Sequence, residues 1–180
     1  MTDFVLERSH EEPKPNKHKV HQTSSSQTWN TPRSLYDPLD ALWKFEVDVA
    51  CLAESALCQK YFTPDDNGLE QTWGENTCWC NPPYDNIKGW AEKSYTSFKN
   101  GSTVVMLIPS RTDTKAFHSY IFGKATAVCF IKGRIKFDNP TENSKANNTA
   151  PFPSCIVVYD NDLSAEKRAV LESLGAVVYM

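Results

Sequence analysis

A chain of 180 residues with 40% hydrophobic and 12% aromatic content has room for one domain with a real core, but none for a catalytic domain plus a separate recognition domain of ordinary size. Its formal net charge of -3 excludes a protein that coats nucleic acid by charge alone, a mode that needs a broad cationic surface. No apolar run approaches the roughly 20 residues that cross a bilayer, and the polar first 30 residues lack the apolar core of a secretory signal, so the expected setting is a cytoplasm with reduced thiols.

Residues 1–27 hold His10, Glu11, Glu12, Pro13, Lys14, Pro15, Asn16 and the run Ser24-Ser25-Ser26. So little apolar content predicts a disordered arm ahead of one domain over 28–180. Order is expected from Trp29, where Thr31 can cap a helix with Pro32 in its first turn and Leu35, Leu39, Leu42 and Trp43 on one face. Pro38 is expected to kink or split that helix. Residues 45–50 and 77–80 read as short buried strands, and the second stops abruptly at Asn81-Pro82-Pro83. The spacing Ile87, Trp90, Ala91, Ser94, Phe98 is helical, and Asn100-Gly101 supplies a stop.

Residues 103–109 form a continuous apolar strand, followed by a helix over 112–122 closed at Gly123 and a strand over 125–131. A hairpin about Lys132-Gly133 is expected to return through 134–137. The polar stretch 138–150, rich in Asn and Thr, is either a flexible lid or a disordered insert. A strand over 155–159 follows, then a helix capped by Ser164 and ended by Gly175, then an edge strand over 176–179. This alternation predicts a three-layer α/β sheet with ligands at the carboxyl ends of its strands. The cysteines at 51, 58, 78 and 80 have C-x6-C and C-x-C spacings foreign to ordinary zinc modules, so no metal is expected.

Asn81-Pro82-Pro83-Tyr84 carries the chemistry. An aromatic amine is a poor nucleophile because its lone pair is delocalised into the ring, so a catalyst must favour a tetrahedral nitrogen. The Asn81 amide oxygen and the Pro82 carbonyl can accept from its two N–H bonds, as dipoles placed where positive charge develops. Pro82 and Pro83 fix φ and remove two donors, which makes the loop stiff and acceptor-rich. Tyr84 is placed to stack on a base swung out of a duplex. A plain strand-ending turn would use the same residue types; the apolar strand before the loop and the amphipathic helix after it favour catalysis.

With these residues the chain resembles the phage-type DNA N6-adenine methyltransferase (Dam-like) family, over about 29–159. The resemblance is carried by Trp29-Asn30-Thr31-Pro32, Val47-Asp48-Val49-Ala50, Tyr61-Phe62-Thr63-Pro64, Asp66-Asn67-Gly68-Leu69, Trp79-Cys80-Asn81-Pro82-Pro83-Tyr84, Pro109-Ser110-Arg111-Thr112-Asp113-Thr114, Gly133-Arg134-Ile135-Lys136-Phe137 and Ala150-Pro151-Phe152-Pro153-Ser154. It implies a compact Rossmann-like methyltransferase fold with shortened elements, S-adenosylmethionine as methyl donor, double-stranded DNA as substrate and, for many relatives, the target GATC.

No glycine-rich turn follows the first strand, where Asp48-Val49-Ala50-Cys51 stands instead. Asp48 is the candidate for the cofactor's methionine ammonium, with Ala50 beside it; a helix-capping role is the structural alternative. Thr31-Pro32 resembles a segment that contacts the methionine moiety in related amine methyltransferases, and Asp66 is the candidate for the cofactor's adenine or sugar, in a stretch with strong turn chemistry. Arg111, Lys115, Arg134 and Lys136, with Lys132, are the candidate DNA contacts, Arg111 foremost because it follows a strand end. His118 is expected to pack rather than to act as a base. Two other readings stay open: a protein glutamine methyltransferase, whose substrate amide presents the same planar NH2, and a non-catalytic DNA-binding module of the same fold.

Overall fold

The computed structural model describes residues 30–137 and 149–180, so the expected arm and most of the expected 138–150 loop lie outside the described residues. The described chain forms one seven-stranded mixed sheet with helices on both faces. In chain order the elements are α1 (Arg33–Trp43), β1 (Val47–Asp48), β2 (Lys60–Tyr61), β3 (Thr77–Cys80), α2 (Ile87–Lys99), β4 (Thr103–Pro109), β5 (Ala127–Ile131), β6 (Ser154–Tyr159), α3 (Ala165–Leu174) and β7 (Gly175–Tyr179). The strand order is β2-β1-β3-β4-β6-β5-β7. The pairs from β2 to β4 are parallel, and those from β4 to β7 antiparallel.

Strand periodicity divides the core. Val104, Met106 and Ile108 of β4 face α2 and the helical turn Phe117–Ile121, while Val105 and Leu107 face α1 and α3. Successive side chains of a strand point to opposite faces, so one apolar run serves two cores. Leu35, Tyr36, Leu39 and Trp43 bury one stripe of α1, as the spacing predicts, and Leu42 packs at its margin.

Several expectations are corrected. Pro32, not Thr31, is the N-cap of α1, and no side chain caps that end. The helix passes through Pro38 unbroken, because Pro38 and Ser34 lie on the exposed face, where water can meet the carbonyl that loses its partner. The strand expected over 45–50 is only Val47–Asp48, although Glu46 and Val49 still donate their backbone N–H to the carbonyls of Thr77 and Trp79. The helix expected over 112–122 is reduced to a wide π-turn over Phe117–Ile121 after a shorter lead-in.

The hairpin about Lys132-Gly133 does not form. β5 is flanked by β6 and β7 instead, and Lys136 makes one isolated bridge to Thr149. Segment 134–137 leaves the sheet to bury Ile135 and Phe137 in the α1–α3 core. Gly175 makes the β7 pairing possible, since a Cβ there would stand 2.0 Å from the carbonyl oxygen of Phe130.

Candidate active site

The site follows from the order of the strands. From β1 the chain crosses to β2 on one side, and then returns to place β3 on the other. Such a reversal leaves a crevice at the carboxyl ends of the two diverging strands, the usual ligand position in an open α/β sheet. Asp48 closes β1 and pairs in register with Trp79 of β3, which brings the 48–52 segment against Asn81-Pro82-Pro83.

Asn81 is held at both ends of its amide. Its Nδ2 donates to the Thr31 hydroxyl at 2.9 Å, and its Oδ1 accepts from the Tyr84 hydroxyl at 3.1 Å. Burial pushes the Tyr84 hydroxyl's pKa far above its ordinary value, so it stays a donor. The Tyr84 ring stands edge-on to Phe152 at 5.4 Å, and the Arg111 guanidinium lies 6.0 Å from the centre of the Phe152 ring. Behind Tyr84 the chain turns into α2, whose first turn is capped by the Asn86 side chain accepting from Gly89 N–H at 3.1 Å.

A cavity of about 110 Å³ opens between the two strand ends, walled by Val49, Ala50, Phe62, Gly68, Trp90 and the Asn81-Pro82-Pro83 loop. Gly68 does here what a glycine in the turn after β1 would do. Its missing side chain leaves room for the carbonyl oxygen of Val49, only 2.2 Å from where a Cβ would lie. Trp73 fixes it by donating its indole N–H to the Gly68 carbonyl at 2.9 Å, and stacks on Trp90 with centroids 6.4 Å apart. Asp66 is exposed and does not line this cavity. Its carboxylate accepts from the Thr63 N–H at 2.8 Å and hydroxyl at 2.7 Å, which organises the turn that carries Gly68 and holds the Asp66 pKa below its ordinary value.

A smaller hollow of about 20 Å³ adjoins the cavity and shares Ala50, Cys51 and Asn81 with it, adding Thr31 and Asp48. Asp48 is 2% exposed. Its oxygens accept from the N–H of Leu57 at 3.1 Å and of Ala50 at 3.4 Å. Burial outweighs those bonds and raises its pKa to about 6. Among the described residues no cation pairs with it, and a buried carboxylate of that kind favours any cation that reaches it.

On the other side of Tyr84 lies a third cavity of about 210 Å³, bordered by Lys88, Arg111 and Lys115, with Asp85 the one acidic neighbour among the described residues. Arg134 and Lys136 are exposed beyond the end of β5. β4 and β5 both run antiparallel to β6, so Arg111 and Lys115 after β4, and Lys132, Arg134 and Lys136 after β5, all follow strands that finish at the same end of the sheet. Lys88, Phe62, Gly68, Trp90 and Phe152 were not singled out from the sequence as site residues. Phe62, Gly68 and Phe152 stood in family-like segments without a role, and Lys88 and Trp90 lay on a helix whose spacing spoke only of packing. His118 is exposed and lies edge-on to Phe122 at 5.4 Å. All six cysteines are free thiols, and no group of three or more His, Cys, Asp or Glu side chains suited to a metal occurs among the described residues.

Comparison with known proteins meets this geometry. The model of a family described as DNA N-6-adenine-methyltransferase (Dam) matches residues 18–176. A curated protein of Escherichia phage T1 named DNA N-6-adenine-methyltransferase is 30% identical over 91 residues, which are 49% of this chain and 38% of that protein. The match thus spans well under half the length of that relative.

Proposed function

The chain belongs to the DNA N-6-adenine-methyltransferase (Dam) family, and from that membership we propose that it transfers a methyl group from S-adenosylmethionine to the exocyclic N6 of an adenine flipped out of duplex DNA. The target expected from the family resemblance is GATC. The carrying observation is the place of Asn81: its amide lines both hollows at the end of β1 and is bonded to Tyr84, which borders the basic cavity. A donor in the first space and an acceptor in the second would meet at this amide.

The strand order, with its reversal between β1 and β3, supports a Rossmann-like methyltransferase fold. The cleft suits the cofactor in kind. Phe62 and Trp90 offer apolar walls to an adenine, Gly68 keeps the floor open, and the Thr31–Asp48 hollow offers a carboxylate to the methionine ammonium. The hollows of about 110 and 20 Å³ are open to solvent, so a ligand can extend past their walls. When bound, the cofactor supplies an electrophilic methyl on a sulfonium.

The chain's own residues supply the rest. Asn81 Oδ1 and the Pro82 carbonyl accept from the two N–H bonds of the target amine and favour its tetrahedral form. Oδ1 already receives one donor, the Tyr84 hydroxyl, and the incoming amine replaces it. Tyr84 stacks on the flipped base, with Phe152 at the ring's edge. Arg111, Lys115, Arg134 and Lys136, joined by Lys88, hold phosphates as a local positive group on a chain of negative net charge. The proton leaves the methylated amine to water, so no strong base is needed.

Family membership weighs against protein glutamine methylation, and the intact Asn-Pro-Pro-Tyr loop weighs against a module that has lost catalysis. The test is transfer of labelled methyl groups from S-adenosylmethionine to plasmid DNA and, in parallel, to protein. Label recovered as N6-methyladenine is expected, with cleavage by an endonuclease specific for methylated GATC. Label confined to protein would overturn the substrate, and S-adenosylhomocysteine binding without any transfer would overturn catalysis.

A further inference from the structure

We propose that Thr31 is a positioning residue for methyl transfer, whose hydroxyl anchors the Asn81 amide at Nδ2 and so holds the amide plane in place for the target amine. The inference rests on the catalytic reading of Asn81 given above. It departs from the cofactor contact that resemblance alone suggested for Thr31.

The two ends of a carboxamide are nearly equal in size and opposite in function. Turned by 180°, Asn81 would present N–H donors to the N–H bonds of the amine, and the repulsion would abolish the acceptor that the chemistry requires. A hydroxyl can donate as well as accept, so what a neighbouring hydroxyl supplies is a contact that keeps the amide plane from turning out of its observed orientation. The Tyr84 hydroxyl supplies one in the free protein by donating to Oδ1 at 3.1 Å, but it occupies the place the amine must take and gives up that bond when the base enters. The Thr31 contact lies on the far end, at Nδ2, 2.9 Å from Oγ1. It does not compete with the amine and persists through the reaction.

The local structure around Thr31 fits this use better than a helix start does. Thr31 is 6% exposed and stands one residue before the N-cap, which Pro32 occupies without any side-chain capping bond. A Thr at the N-cap would have satisfied an orphan N–H of α1. The chain forgoes that cap and spends the hydroxyl on a side chain 50 positions away. Leu35, Tyr36, Leu39 and Trp43 anchor α1 in the core behind it, so the buried hydroxyl is presented by a segment tied directly to a fixed helix.

Thr31→Val removes the hydroxyl at nearly constant volume and separates the possibilities. Steady-state transfer to plasmid DNA and calorimetric titration with S-adenosylhomocysteine are measured for the wild type, Thr31→Val, Thr31→Ser, Asn81→Ala and the Thr31→Val/Asn81→Ala double variant. The expected result is a kcat roughly two- to tenfold lower in Thr31→Val, the orienting value of one neutral hydrogen bond. KM for DNA and the affinity for S-adenosylhomocysteine should stay within about twofold. Thr31→Ser should restore the rate, and Thr31→Val should cost nothing further once Asn81 is Ala. An unchanged kcat in Thr31→Val, or weaker S-adenosylhomocysteine binding with kcat intact, would overturn the positioning role while leaving Asn81 catalytic. Full activity in Asn81→Ala would overturn the catalytic reading and this inference together. Should Thr31→Val melt below the assay temperature, Thr31→Ala against Thr31→Ser gives the same contrast.

Discussion

The two halves of the sheet are built differently. In the parallel half, β1 pairs with each neighbour over two residues only, whereas the antiparallel pairs of β4, β6, β5 and β7 run to six, four and five residues. Every residue of β6 is buried. The short strands depend instead on side chains that tie loops to backbone: Asp48 to Ala50 and Leu57, Asp66 to Thr63, Trp73 to Gly68. The cleft at the ends of β1 and β3 sits on this lightly laddered half. A cleft edged by few ladder bonds can adjust to a ligand, and a long antiparallel ladder beside it keeps the fold intact meanwhile.

That division sets the expected size of each perturbation. The largest belongs to Asn81→Ala, which should lower the rate of methyl transfer by about 10² to 10³ while leaving S-adenosylhomocysteine affinity within a few fold, because the amide acts on the amine rather than on the cofactor. Single-turnover rates beside calorimetry check this; near-normal turnover would remove Asn81 from the chemistry.

Asp48 comes next. Burial raises its pKa from the ordinary 3.8 to about 6, so the fold favours the protonated acid. Stability of the free protein should fall as pH rises between those values, and the full cost of the buried charge applies above about 6. An ammonium at the carboxylate offsets that cost, so S-adenosylhomocysteine should bind more tightly as pH rises through about 6 and then level off. Asp48→Asn should flatten this profile and cost about 1.5 to 3 kcal/mol of affinity at neutral pH. It should also lower Tm somewhat, since both carboxylate oxygens accept backbone N–H bonds and one end of an Asn amide cannot. A lowered Tm with unchanged affinity would make Asp48 structural.

Tyr84→Ala should weaken binding and methylation of target DNA by about 1 to 3 kcal/mol, the scale of base stacking on an aromatic ring. Tyr84→Phe should be mild, because the hydroxyl gives up Asn81 when the base arrives. If the two substitutions prove equally damaging in gel-shift and rate measurements, the hydroxyl matters and stacking is the wrong role. The smallest effect is expected in the antiparallel half: Ile156→Val should cost about 0.5 to 1.5 kcal/mol of unfolding free energy and leave kcat unchanged below the melting range. A change in kcat there would show that the ladder and the site are not separable.

The sequence by itself determined the elements whose signals are local. The apolar run of β4, the helical spacing and Asn100-Gly101 stop of α2, and the Ser164 cap and Gly175 end of α3 are read within one segment, and the structure places them within a residue or two. Asn81-Pro82-Pro83-Tyr84 was legible too, because rigidity and acceptor chemistry are properties of the residues themselves. Tertiary structure decided the rest. β5 had an apolar pattern that suited either a hairpin or a sheet partner, and burial of Ile135 and Phe137 on the α1–α3 side settled the choice. β2 is two exposed residues with no periodicity to read. Gly68 supplies from 20 positions downstream of Asp48 the space that a turn glycine usually makes, and Thr31 trades a helix cap for the Asn81 amide. Such roles depend on which distant backbone or side chain arrives opposite a residue, and only the packed sheet brings those partners together.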